Sequence, residues 1–91
     1  MLTVSLRISG KVQGVWFRAS AKDAAISIGV KGKVWNEPNG DVGALAQGTQ
    51  DQIDAFIDWC KQGPPLARVE DVKVESVSSS ETYESFEITR N

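Results

Sequence analysis

The chain has 91 residues, of which 41% are hydrophobic and 24% charged, with a net charge of −2. That suits one small domain with a modest core, burying somewhat more than about 60% of its unfolded surface. The slightly acidic balance weighs against a nucleic-acid binder, which usually carries a basic face, and against an electrostatic membrane anchor. Its single cysteine, Cys60, permits no internal disulfide, which fits a reducing compartment. No apolar run approaches the roughly 18 residues needed to span a bilayer. The N-terminus lacks a basic region followed by an apolar stretch, so a cytoplasmic protein is the expectation. Histidine is absent. That removes a histidine general base, a Ser-His-Asp or Cys-His pair and a Cys–His zinc site.

Residues 2 to 9 alternate: Leu2, Val4, Leu6 and Ile8 point one way, and Thr3, Ser5, Arg7 and Ser9 the other. That is a strand with one buried face. From Phe17 the period changes. Phe17, Ala21, Ala24, Ala25 and Ile28 form one stripe of an amphipathic helix, with Gly29 as its stop. Asn39-Gly40 then signals a two-residue hairpin turn between strands at about 30–36 and 41–47, because such a turn needs positive φ at both central residues. Val30, Val34 and Asn36 share one face of the first of these strands; Lys31, Lys33 and Trp35 share the other. Thr49 with Gln52 predicts a capping box. Ile53, Phe56, Ile57 and Cys60 form the stripe of a second helix, ended by Gly63, Pro64 and Pro65. Residues 68–77 read as a fourth strand with Val72 and Val74 inward, followed by a serine-rich turn, SVSSSETYES. Phe86 and Ile88 mark a short last strand. Two interleaved strand–helix–strand units with right-handed crossovers give an antiparallel sheet with both helices on one face. That is an α+β, ferredoxin-like split βαβ sandwich, βαββαβ, with a short extra C-terminal strand. The chain shows no internal repeat and no domain boundary, so 1–91 reads as a single domain.

The junction GKVQGVWFRAS, residues 10–20, holds no Ser, Thr, Asp or Asn where the first helix needs a cap. The first N–H groups of a helix lack intrahelical partners. Gly10 and Gly14 allow backbone conformations closed to other residues, and a glycine-containing turn can aim several N–H groups at one point. With the helix dipole, that point attracts an anion. Arg18, in the first turn, can add a bidentate charged fork for phosphate oxygens. A water-filled helix start with a solvated arginine is the competing reading of the same residues.

GKVQGVWFR resembles the signature of the acylphosphatase family: a glycine, any residue, V-Q-G-V, any residue, F-R. NEPNGDVGALAQG resembles the family's second signature, carried here by Asn36, Gly40, Val42 and Gly48. The resemblance covers nearly the whole chain, including QGPPLARVEDV from Gln62 to Val72. It implies the ferredoxin-like fold that the pattern also gives. It implies hydrolysis of acyl phosphates, with the phosphoryl group held by Arg18 and the N–H groups of residues 13–18, that is Gln13, Gly14, Val15, Trp16, Phe17 and Arg18, and the attacking water positioned by Asn36. No metal or cofactor is implied, and the expected partner is a small-molecule acyl phosphate bound by a monomer. The sequence departs from the family at Lys33 and Trp35, where the usual aromatic and basic or small polar residues stand as though exchanged. Both lie opposite Asn36 in a strand, so altered surface packing or substrate preference is expected from them. Phe17 reads as core, and Trp16 as exposed and able to touch the acyl part of a substrate. Three other functions remain compatible at this level. One is a binding module for RNA or a small anionic ligand, since the fold hosts both. A second is a catalytically silent domain of the same family. A third is a structural or interaction protein with an exposed sheet edge, which nothing in the sequence specifically signals.

Overall fold

In a computed structural model, which describes residues 1–78 and 81–90, the alternating N-terminal segment forms β1, Leu2–Lys11. It is followed by α1 (Phe17–Ile28), β2 (Lys31–Asn36), β3 (Val42–Gly48), α2 (Gln50–Gln62), β4 (Arg68–Ser76) and β5 (Phe86–Ile88). The strands make one sheet in the order β4-β1-β3-β2-β5. The four longer strands pair antiparallel. The short β5 adds parallel to β2, with Val34 opposite Ile88.

The core lies on the face that carries Val4, Leu6 and Ile8, all buried. In the register Leu6 and Val34 both oppose Ala44, so β3 keeps small side chains in the middle of the sheet while the helices supply the bulk. Phe17 of α1 and Phe56 of α2 are buried. Trp59 bridges them, edge-on to Phe17 at 5.4 Å and stacked on Phe56 at 6.4 Å. Phe86 meets Phe56 edge-on at 5.5 Å, which gives three-residue β5 an anchor that its length alone would not supply. Lys22 of α1 pairs with Glu87 at 3.4 Å. Ser85, followed by Lys22, holds the Glu87 carboxyl below its ordinary range.

The second helix starts as expected. The Gln52 N–H donates to Thr49 Oγ1 at 3.2 Å, and the Thr49 N–H donates to Gln52 Oε1 at 2.9 Å. The hairpin differs. Its connection is five residues, 37–41, in place of two, and Gly40 alone in it has positive φ. Pro38 is the reason. A proline favours the second position of a type I turn, and the following residues are then continued by a left-handed glycine. The Gly40 N–H donates to the Glu37 carbonyl at 3.2 Å and the Glu37 N–H to the Asp41 carbonyl at 2.8 Å.

Val74 also departs from expectation. It opposes Leu6 and so faces the helices, but it is 39% exposed, because β4 is an edge strand. Val72, two pairs further along and opposite Ile8, is half-buried against the core. The serine-rich connection is described only on either side of residues 79 and 80; the turn expected there lies outside the described residues. Gln47 fastens its far end. The side chain is buried, donates to the Glu81 carbonyl at 2.9 Å and accepts from the Tyr83 N–H at 2.9 Å.

Candidate active site

The segment between β1 and α1 is built by two left-handed residues. Gly14 has φ 74 and Trp16 has φ 67, the single non-glycine residue with positive φ among those described. Gly14 is needed for its backbone: a Cβ there would meet nothing within 4 Å. Trp16 is the N-cap of α1 and gives it no side-chain hydrogen bond, and no acidic residue stands in the first turn. Outside the regular elements, backbone hydrogen bonding resumes only where the Ser20 N–H donates to the Trp16 carbonyl at 3.0 Å. Among the described residues, no partner accepts from the N–H groups of residues 13–16. Those of Phe17 and Arg18 belong to the first turn, which has no intrahelical acceptor to offer. The capless start expected from the sequence is therefore present, and its donors remain free.

Arg18 and Asn36 come together in one cavity of about 340 Å³, which Gly14, Trp16 and Ile88 also line. Arg18 is half-buried and makes no ion pair or hydrogen bond among the described residues. Asn36 ends β2, on the helix side of the sheet and beside Ile88 of β5. Its Oδ1 is buried and accepts no hydrogen bond from a described residue. Such an atom is costly to bury unless a donor meets it. Arg18, the uncapped start of α1 and Asn36 thus line one cavity.

The other candidates take different places. Phe17 is 2% exposed and its ring is core, and the residue also lines the cavity. Val15 is likewise buried. Trp16 is 75% exposed at the cavity mouth. Gln13 turns its side chain away, Nε2 donating to the Glu37 and Asp41 carbonyls, both at 2.8 Å.

The departures at Lys33 and Trp35 lie on the open face of the sheet. The Trp35 indole covers Gly43, where a Cβ would come within 2.6 Å of the ring, and Lys33 Nζ stands 5.5 Å from the ring centroid. That face has a larger hollow, about 590 Å³, but it contains none of the candidate residues of the site. Trp16 and Trp35 line different cavities, so they form no common stacking platform. Burial pushes the Cys60 thiol up to about 12, so it is no nucleophile at neutral pH. Among the described residues no group of three or more His, Cys, Asp or Glu side chains is placed to hold a metal ion. No helix among them is long and apolar enough to cross a membrane.

A family model described as Acylphosphatase matches residues 4–88. An acylphosphatase of Thiobacillus denitrificans is 46% identical over 87 residues, which are 96% of this chain and 96% of that protein. One of Methylococcus capsulatus is 40% identical over 91 residues, covering 100% of this chain and 99% of the relative. Among solved structures, the acylphosphatase from Bacillus subtilis superposes with a TM-score of 0.94 at 32% identity, covering 98% of this chain and 99% of that one.

Proposed function

The chain belongs to the acylphosphatase family, an enzyme family that hydrolyses acyl phosphates, and from that premise we propose how its own residues carry the reaction. The substrate is a mixed anhydride of a carboxylate and phosphate, and the products are a carboxylate and inorganic phosphate. Arg18 and the N–H groups of residues 13–18 hold the phosphoryl oxygens. The Asn36 side-chain amide holds the attacking water by a hydrogen bond and so turns an oxygen lone pair toward phosphorus. The observation that carries this reading is the cavity that Arg18, Gly14 and Asn36 line together.

The chemistry asks for little more. The leaving carboxylate has a conjugate acid with a pKa near 4, so it departs without a general acid. A loose phosphoryl-transfer transition state mainly requires alignment and stabilisation of charge on the equatorial oxygens. Preorganised donors supply that at low reorganisation cost. Asparagine is too weak a base to deprotonate water. The proton passes to a phosphoryl oxygen, and inorganic phosphate leaves carrying it. Trp16, exposed at the cavity mouth in a conformation that costs a non-glycine residue roughly 1–3 kcal/mol, contacts the acyl group. The protein works as a cytoplasmic monomer of one domain on a small-molecule substrate, with neither nucleic acid nor membrane as partner.

Hydrolysis in ¹⁸O-water tests the proposed direction of attack. With Asn36 aligning water on phosphorus, the label enters inorganic phosphate. Label in the carboxylate would mean attack on the carbonyl carbon, and the proposed roles would be wrong.

A further inference from the structure

We infer that Gln13 is a positioning residue: its side chain clasps the neck of the β2–β3 loop to the anion cradle and thereby fixes Asn36 over the bound phosphoryl group. The inference rests on the water-positioning role proposed for Asn36. Gln13 stands at the start of the cradle, and Asn36 lies in another element, brought near only by the fold. The Gln13 amide nitrogen donates to two carbonyls at once, those of Glu37 and Asp41, each at 2.8 Å. These two residues face each other across the loop neck, where the Glu37 N–H donates to the Asp41 carbonyl at 2.8 Å. Glu37 directly follows Asn36 in the chain. Its side chain is held too, by Arg7 of β1 at 2.9 Å, and is only 15% exposed. The backbone just past Asn36 is therefore pinned by β1 on the open face, by Asp41 across the neck and by Gln13 from the cradle. Of these three, only the Gln13 bonds run from the segment that binds phosphate to the segment that binds water. They set the distance that matters for in-line attack. A displacement of about 1 Å between reacting groups can cost about 10²-fold in rate.

Gln13→Met tests this, because it keeps the length of the side chain and removes both donated bonds; Gln13→Ala is the second variant. Thermal melts and circular dichroism establish that each folds. The expected result is a fall in kcat of about tenfold or more, with the Kd for inorganic phosphate within about threefold of wild type, since the cradle N–H groups stay. In the Asn36→Ala background the same substitution costs less than about twofold, because the residue it serves is gone. The Asn36 side-chain NH₂ resonance shifts or broadens in Gln13→Met while the Phe17 amide resonance stays. Three results would overturn the inference: phosphate affinity falling in step with kcat, the full loss persisting in the Asn36→Ala background, or an unmoved Asn36 resonance. Wild-type turnover in Asn36→Ala alone would instead remove the underlying reading of Asn36.

Discussion

Gly14→Ala isolates the backbone of the cradle. The residue sits at φ 74 with no atom within 4 Å of a built Cβ, so the substitution adds conformational strain and no clash. An L-residue in the left-handed region costs roughly 1–2 kcal/mol. The narrower unfolded ensemble of alanine returns about 0.4–1 kcal/mol. The net loss is about 1 kcal/mol, which for a domain of this length lowers Tm by about 5 °C. Asparagine, which tolerates this region, loses less. Function should respond more strongly than stability. A Cβ at this position borders the cavity shared with Arg18, and any relaxation of φ re-aims the neighbouring N–H groups. Urea unfolding gives the stability change, and calorimetric titration with inorganic phosphate gives the affinity. We expect Gly14→Ala to weaken phosphate binding at least about tenfold, with Gly14→Asn intermediate in both measurements. A stability loss above about 3 kcal/mol would mean that the site is sterically filled. Unchanged phosphate affinity in a folded Gly14→Ala protein would mean that the loop backbone does not hold the anion.

Three further outcomes follow from other parts of the molecule. Gly43→Ala forces the Trp35 indole off the sheet, costing about 1–3 kcal/mol of stability, and leaves hydrolysis intact because Trp35 and Asn36 face opposite sides; thermal melts beside rate assays check both. Cys60 binds its proton more tightly when folded, so its stabilising effect is full below the unfolded thiol value and is lost as pH rises from about 9 toward about 12. The stability advantage of wild type over Cys60→Ala should accordingly shrink by about 1.4 kcal/mol per pH unit above pH 9, read by urea unfolding across that range. Trp16→Ala should lower the preference for benzoyl phosphate over acetyl phosphate by about threefold to tenfold in kcat/KM, as loss of one aromatic contact implies; an unchanged ratio would remove Trp16 from the acyl site.

Much of this molecule is legible because local signals and the fold agree. The alternation from Val4 to Ile8, the stripe from Phe17 and the Thr49 capping box are each short-range patterns, and each is present; Leu2, expected on the same buried face, is 41% exposed at the end of β1. The missing cap before Phe17 was legible for the same reason, as an absence within a few residues. What stayed hidden depends on distant partners. The Gln13 bonds span 24 and 28 positions, and no periodicity encodes them. Val74 has the residue type and alternation of a buried position; its exposure comes from β4 lying at the edge of the sheet. Asn39-Gly40 carries the signature of a two-residue turn, but the Pro38 ring two residues past Asn36 sets the longer connection. Trp16 showed that it could be exposed, but nothing in the sequence showed its left-handed backbone, because an aromatic residue is among the last expected there.

The central claim is a division of labour in which Arg18 holds the phosphoryl group and Asn36 aligns the water. Its most direct test measures hydrolysis of benzoyl phosphate and the Kd for inorganic phosphate in wild type, Arg18→Ala and Asn36→Ala, all shown to be folded by circular dichroism. We predict a loss of at least about 10²–10³-fold in kcat/KM for both variants, with phosphate binding lost in Arg18→Ala and retained in Asn36→Ala. Near-wild-type turnover in either variant, or phosphate affinity that falls equally in both, would contradict the account.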